Sequence, residues 1–136
     1  MENILNNSLA TLLPPVLIDV VTSYLVITSD SKIPDNCSGC IFKGSFASLD
    51  LSKRDLRNID MYYIGAEYAN FSDANLTNAN LTNANLNNAN FSDANLTNAN
   101  LTNANLECAN MLNANLKNIN LEDAYIEYAN LDGVIW

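Results

Sequence analysis

Two cysteines with the spacing C-x-x-C, Cys37 and Cys40, are the first residues whose type and separation could support chemistry. This spacing is typical of zinc ligands and of redox-active thiols. A structural zinc ion needs four ligands, and the chain offers only Cys108 as a further thiol and no histidine. A redox pair would need a thioredoxin-like helix start, which the flanking residues do not predict. We therefore expect two thiols in a turn, with no metal site and no cofactor.

Carboxylates are the other reactive groups, and four of them cluster near the end of the chain: Glu122, Asp123, Glu127 and Asp132. The sequence predicts no cleft around them, so they read as a solvated acidic face, and we do not expect an enzyme. Fifteen acidic residues against six Lys and Arg give a formal charge of −9. Nucleic acids and anionic membranes select for clustered Lys and Arg, so neither is expected as a direct partner.

The same residues bear on the compartment. Three cysteines cannot all pair, and six Asn-x-Ser/Thr sequons from Asn70 to Asn100 would crowd glycans on one surface. No basic stretch precedes the first apolar run, as a secretory signal would require. That run, Val16–Ile27, is shorter than the ~20 residues of a membrane span. These features predict a cytoplasmic protein.

The elements that must position these groups follow from a five-residue repeat. Large apolar residues recur at every fifth position, giving 20 units over residues 39–136, and a small residue usually lies two positions before each. The alternating spacing of two and three, about 144° per residue, fits neither a helix nor a flat strand. It predicts a chain that turns a corner every five residues, with two side chains inward and three outward.

A second period gives the number of corners in each turn. Residues 71–90 and 91–110 are identical at 18 of 20 positions. Twenty residues are four units, which predicts square coils stacked ~4.8 Å apart, the spacing of paired strands. One predicted inner column is Leu51, Phe71, Phe91, Met111 and Leu131. Asparagines stacked in register are expected to hydrogen-bond along the column; an Asn/Thr array that binds ice or glycan is the alternative.

The units of the form Ala-Asn-Leu-Thr-Asn resemble those of the pentapeptide-repeat family over residues 39–136. The resemblance implies an all-β fold, a right-handed quadrilateral parallel β-helix of about five coils. The first units depart from the pattern, since Arg54 stands where a small inward residue belongs. We expect residues 39–68 to include an irregular coil or end cap.

Residues 1–38 lie outside the repeat and form a separate predicted domain, with a short α-helical cap over Val16–Ile27. Residues 13–25, with Leu-Pro before an aliphatic stretch ending Tyr-Leu, resemble the first helix of F-box domains. That resemblance implies docking to the adaptor of a cullin–RING ubiquitin ligase. The expected partner-binding residues are Pro14, Leu17, Ile18, Val21, Tyr24 and Leu25. The segment is thus expected either to cap the first coil or to dock a partner.

Two functions follow from this reading. The first is a non-enzymatic protein-interaction or scaffold module, with dimerisation through a β-helix end as a further expectation. The second comes from the resemblance to quinolone-resistance members of the family, which implies a DNA-mimicking inhibitor of a type II topoisomerase such as gyrase. Its candidate acidic residues are Asp73, Asp93, Glu107 and Glu127. This stretch carries fewer negative charges per unit length than DNA, which has one charge per ~1.7 Å of its axis.

Overall fold

The computed structural model describes residues 20–21, 24–28 and 33–136. Its named strands are β1 (Val20–Val21), β2 (Tyr24–Thr28) and β3 (Ile41–Lys43). β1 pairs antiparallel with β2, and β2 pairs parallel with β3. From Ser45 onward the chain is a stack of coils joined by single parallel bridges, in which each pairing residue meets the one 20 positions later. The predicted 20-residue coil is confirmed.

Each five-residue unit makes its corner with a β-turn. In the unit of Phe71, the amide of Ala74 donates to the carbonyl of Phe71 at 3.1 Å, and Asp73 has a φ of 58°. The equivalent residue of every unit from Ser48 to Tyr128 has a positive φ. Asn and Asp tolerate this left-handed region better than other residues with a side chain. That tolerance explains why Asn and Asp recur at the last position of the unit.

Backbone hydrogen bonds hold each coil to the next. The amide of Phe71 donates to the carbonyl of Asn90 at 2.7 Å, and the amide of Asn90 donates to the carbonyl of Ala69 at 2.9 Å. The same pair of bonds recurs on each side of each coil. Because the apolar residues come back to the same place every 20 residues, they stack in columns.

We number the four sides of the stack by the apolar residues that point inward. The first side has Leu51, Phe71, Phe91, Met111 and Leu131; the second has Leu56, Leu76, Leu96, Leu116 and Trp136; the third has Met61, Leu81, Leu101 and Leu121; the fourth has Phe46, Ala66, Leu86, Leu106 and Ile126. From Phe46 to Leu116, these residues and the alanines beside them are buried. No polar side chain is buried in the described chain. Trp136 is 64% exposed, so it does not plug the last coil.

An asparagine ladder runs up the first side, as the repeat predicted. The side chain of Asn70 donates to Asp50, and each amide above it donates to the one below at 3.1 or 3.2 Å, through Asn90 and Asn110 to Asn130. On the second side the ladder runs instead through the last residue of the unit, from Asn58 to Asn118. The stacked amides therefore stabilise the coils along two columns.

The first coil is one residue short. Asn36 pairs with Asp55 and Ile41 with Asp60, an offset of 19, whereas Ser45 pairs with Gly65, an offset of 20. Phe42 rather than Ile41 therefore fills the core, which corrects the predicted repeat frame at Ile41. The irregularity expected in residues 39–68 lies between Ile41 and Ser45, where Gly44 takes a φ of 117°.

At the N-terminal end of the stack, the side chain of Arg54 bonds to residues that precede the first coil. Its guanidinium donates to the carbonyl of Ile33 at 3.0 Å and to the carboxylate of Asp35 at 2.9 Å. The repeat pattern predicts a small residue at this inward position, and the charge of Arg54 is paired there with the carboxylate of Asp35. The guanidinium also satisfies the backbone carbonyl of Ile33.

The predicted helix over Val16–Ile27 is wrong at the residues that the structure describes, since Val20–Val21 and Tyr24–Thr28 are strands. Val26 pairs with Ile41 and Thr28 with Lys43, so β2 continues the sheet of the third side below the first coil. Valine, isoleucine and threonine favour a strand when a neighbouring strand is available to pair with them. The segment meets the stack through backbone pairing instead of a helical cap.

Candidate interaction surface

Four exposed tyrosines of the coils share one side of the stack, whereas the exposed Trp136 lies on the second side. Tyr63, Tyr68, Tyr125 and Tyr128 lie on the fourth side or at its two corners, and each is between 63% and 83% exposed. Tyr62 lies next to them, with its ring 4.8 Å from that of Tyr63. Exposed tyrosine is enriched where proteins contact one another, because its ring supplies contact area at low conformational cost. The fourth side is therefore the candidate interaction surface.

A groove with a volume of about 460 Å³ lies on this side. Its polar and aromatic lining consists of Asn83, Asn85, Asn103, Asn105, Glu107, Tyr125 and Glu127. The 20-residue register places Glu127 directly above Glu107 and Tyr125 directly above Asn105, so both pairs are about one strand spacing, ~4.8 Å, apart. We call this feature the fourth-side groove.

The asparagine ladder is interrupted on the fourth side, which leaves polar groups for the groove. Gly65 and Tyr125 occupy the column that elsewhere holds Asn, and the side chain of Asn85 turns to donate to Glu67 at 2.6 Å. The side-chain carbonyl oxygen of Asn105 accepts a hydrogen bond from the backbone amide of Glu107 at 3.0 Å. Within the described residues, the side-chain NH2 group of Asn105 donates no hydrogen bond to the coil on either side. The amides here line a concave surface instead of bonding to one another.

The charges of the coils are segregated between opposite sides. Glu67, Glu107 and Glu127 share one outward column of the fourth side, interrupted by Asn87, as the sequence predicted. Lys117 and Arg57 lie on the opposite, second side, and Arg57 is paired with Asp55, which accepts its hydrogen bonds at 2.8 and 2.6 Å. That hydrogen-bonded pairing lowers the pKa of the Asp55 carboxyl.

The four predicted DNA-mimic residues divide between two surfaces. Glu107 and Glu127 line the fourth-side groove. Asp73 and Asp93 stack at a corner of the first side, where Asn113 donates to Asp93 at 3.2 Å and Lys53 occupies the coil below. The structure does not bring the four carboxylates into a single acidic stripe.

Three of the six predicted partner-binding residues lie in strands: Val21 in β1, and Tyr24 and Leu25 in β2. Pro14, Leu17 and Ile18 lie outside the described residues. The described part of the segment therefore contains no F-box-like helix, and docking to a cullin–RING adaptor stays a prediction.

Cys37 and Cys40 occupy two successive inward positions of the first coil. The amide of Cys40 donates to the carbonyl of Cys37 at 2.9 Å, so the pair spans a turn, as predicted. Both thiols are buried, and the hydrogen bond that Cys37 donates to Cys40, together with burial, raises the pKa of the Cys37 thiol. In the part of the chain that the structure describes, no three metal-ligating side chains lie together.

Thiol alkylation distinguishes these cysteines from Cys108, which is exposed. We expect iodoacetamide at pH 8 to modify Cys108 in the folded protein and to modify Cys37 at least about tenfold more slowly, because its thiolate is disfavoured and must wait for local opening. Peptide mass spectrometry over time measures both rates, and a denatured sample is the control. Equal rates in the folded protein would contradict the buried placement of Cys37.

Sequence reasoning found the Glu column but missed the groove. Tyr125 carries the missing signal, because it interrupts a column that otherwise holds Ser45, Gly65, Asn85 and Asn105. Asn83 and Asn103, which line the groove, share a column with Tyr63. In the alternative Asn/Thr array for ice or glycan, the hydroxyls of Thr77 and Thr97 are already used, since they donate to neighbouring asparagines at 2.6 Å.

The five-residue units, their corner turns and the 20-residue coil together define a β-helical solenoid. Residues 69–107 and 99–135 match the family model of pentapeptide repeats in eight copies. The repeat region therefore belongs to the pentapeptide-repeat family. No curated protein sequence matches the chain.

Solved structures support the same fold. A pentapeptide repeat protein from the thylakoid lumen of Arabidopsis thaliana is 29% identical, with a TM-score of 0.65 over 68% of this chain and 65% of its own. The chain thus spans slightly less than two thirds of that protein. The pentapeptide repeat protein alr5209 from Nostoc PCC 7120 is 26% identical, with a TM-score of 0.54 over 63% of this chain and 83% of its own. The fold shared with these proteins is the right-handed β-helix, in agreement with the expected handedness.

A weaker likeness links the chain to QnrB1, a plasmid-mediated fluoroquinolone resistance protein. The identity is 19% over 73% of this chain and 64% of QnrB1, with a TM-score of 0.39. A likeness of this size carries no functional argument. Among the residues that the structure describes, no helix has the length and apolar character needed to cross a membrane.

Proposed function

We propose that this protein is a non-enzymatic interaction module whose β-helix presents its fourth side to a protein partner. The observation that carries the proposal is that four of the five exposed tyrosines in the coils lie on that side or at its corners. A repeat stack that satisfies its own backbone in successive coils offers a regular surface, and binding proteins of this kind commonly use one extended face. A cytoplasmic location remains part of the proposal, supported by the three free thiols.

The test removes the tyrosines without disturbing the coil. The variant combines Tyr63→Asn, Tyr125→Asn and Tyr128→Asn. Each position receives the asparagine found elsewhere in its own column, namely Asn83, Asn105 or Asn88. The matched control is Leu112→Ser, an exposed apolar residue on the first side where the coils below carry Ser. Affinity capture from lysate with quantitative mass spectrometry compares both variants with the wild type.

We expect a reproducible protein partner to be captured by the wild type and by Leu112→Ser and to be lost with the triple tyrosine variant. Circular dichroism of each variant establishes that the coil is retained. A partner captured equally by all three proteins would show that the fourth side is not the interface. Absence of any enriched protein from the wild-type capture would contradict an interaction function.

Inhibition of a type II topoisomerase by DNA mimicry is the second candidate. What favours it is the acidic charge of −9 and the two stacked carboxylates Asp73 and Asp93. It takes second place because the acidic residues divide between two sides, and two carboxylates ~4.8 Å apart match DNA poorly, at one charge per ~1.7 Å. A supercoiling assay with gyrase tests it, and Asp73→Asn with Asp93→Asn should abolish any inhibition.

As an alternative use of the stack, we also propose a homodimer formed through one end of the β-helix. Exposed strand edges favour association between copies. Light-scattering mass of the wild type measures it directly, and a monomeric mass at high concentration would exclude this use.

A further inference from the structure

We propose that the fourth-side groove is the binding site for an arginine side chain of the partner. This inference rests on the proposed function and adds the chemistry by which the partner is recognised. It depends on three groups that the coil register brings together: the carboxylates of Glu107 and Glu127, the ring of Tyr125, and the amides of Asn83 and Asn103.

The carboxylates give the groove an uncompensated negative charge. Glu107 and Glu127 lie one coil apart, and the salt bridges of the described residues involve only Arg54 and Arg57. Within the described chain, the fourth side between residues 64 and 128 carries neither Lys nor Arg. Glu107 accepts one long hydrogen bond from the side chain of Asn87, at 3.4 Å, and no cation of the described residues balances its charge. A cation entering the groove would therefore meet two carboxylates without displacing a positively charged partner.

The ring of Tyr125 adds a flat aromatic surface beside the carboxylates. Tyr125 is 66% exposed and lines the groove two residues before Glu127. A cation over an aromatic face gains about 0.5–1 kcal/mol at an exposed site. A carboxylate and a ring at one edge of a groove favour a cation that is planar, because it can hydrogen-bond to one and stack on the other.

The geometry of the acceptors favours guanidinium over ammonium. Guanidinium presents five donors in a fixed plane, whereas ammonium is a compact point charge. The side chains of Asn83 and Asn103 line the groove, and the structure gives neither of them a hydrogen bond within the described residues. Their carbonyl oxygens and the two carboxylates supply acceptors spread over two coils, which a planar fork can engage together.

The experiment uses the full chain and a defined probe, acetyl-triarginine amide. Nuclear magnetic resonance titration follows the side-chain amide signals of Asn83 and Asn103. The groove variant is Glu107→Gln with Glu127→Gln, and Tyr125→Asn removes the ring. The control is Asp73→Asn with Asp93→Asn, which removes the same charge from the first side. Acetyl-trilysine amide and the citrulline analogue test the choice of guanidinium.

We expect triarginine to shift the Asn83 and Asn103 signals, with at least tenfold weaker binding to the groove variant and severalfold weaker binding to Tyr125→Asn. The control variant should bind within about twofold of the wild type, and trilysine and citrulline peptides should bind more weakly than triarginine. Equal weakening by the control variant, equal binding of trilysine, or no shift at millimolar peptide would overturn the proposal.

Partner capture separates this proposal from the proposed function. If the partner is lost with the triple tyrosine variant and also with the groove variant, both stand. If the partner is lost with the tyrosine variant but kept by Glu107→Gln with Glu127→Gln, the arginine site is wrong and the interaction surface stands. If the wild type captures no partner, the proposed function fails whatever the peptide does.

Discussion

Replacing Phe91 by alanine is expected to lower the free energy of unfolding by about 3–5 kcal/mol, the cost of truncating a fully buried phenylalanine. Phe91 is completely buried, and its ring stacks on that of Phe71 at 4.8 Å with an angle of 2° between the planes. Truncation would open a cavity inside one coil, and coils above and below could close it only by breaking their register. Urea unfolding followed by circular dichroism measures the change.

The matched control for this prediction is Phe91→Leu. Leucine is the inward residue of most coils, so the substitution should cost less than about 1.5 kcal/mol. Both variants lose the ring stacking, so the difference between their free energies of unfolding measures the cost of the cavity. If Phe91→Ala cost no more than Phe91→Leu, the first inner column would not be the packed core that the structure shows.

Asn90 is expected to stabilise the stack through three side-chain hydrogen bonds, and Asn90→Ala should cost about 3 kcal/mol. Its side chain donates to Asn70 at 3.2 Å and accepts from the side chain of Asn110 and from the backbone of Ser92, both at 3.1 Å. Each such bond contributes about 1 kcal/mol net. The loss therefore sums over two links of the ladder and one turn.

Asn115→Ala provides the comparison, because Asn115 occupies the equivalent position of the second side and accepts one bond, from the backbone of Lys117 at 3.2 Å. We expect a cost of about 1 kcal/mol, a third of that at Asn90. Thermal unfolding monitored by circular dichroism ranks the two. Equal costs would show that the amide ladder contributes nothing beyond the local turn.

The half-buried charge at Arg54 shows where a repeat pattern stops predicting contacts at the end of a stack. The pattern predicts a small inward residue at that position, and the presence of arginine marks the first units as unusual. What the arginine binds depends on residues 33–35, which the repeat does not constrain. Only the folded chain shows that its guanidinium bonds to the carbonyl of Ile33.

At Arg54 the local pattern was clear, whereas in the N-terminal segment the local pattern itself is ambiguous. A short run of Val, Ile, Leu and Tyr has no clear periodicity, and its helical and extended forms cannot be told apart from local pattern alone. Pairing with Ile41–Lys43 selects the strand at Tyr24–Thr28. That pairing is a contact between residues 15 positions apart, and nothing within the segment encodes it.

The sequence by itself determined the coil, its four sides and the columns, because an exact five-residue period within a 20-residue period leaves one way to stack equivalent residues. It therefore also determined that Glu107 and Glu127 share a column and that asparagines of the first side stack. The tertiary structure decided the one-residue shortening near Gly44, the strands at Val20–Val21 and Tyr24–Thr28, and the groove beside Tyr125. The physical reason is that a period fixes which residues are neighbours, whereas the shape of a surface depends on how unlike side chains fill the places where the period is broken.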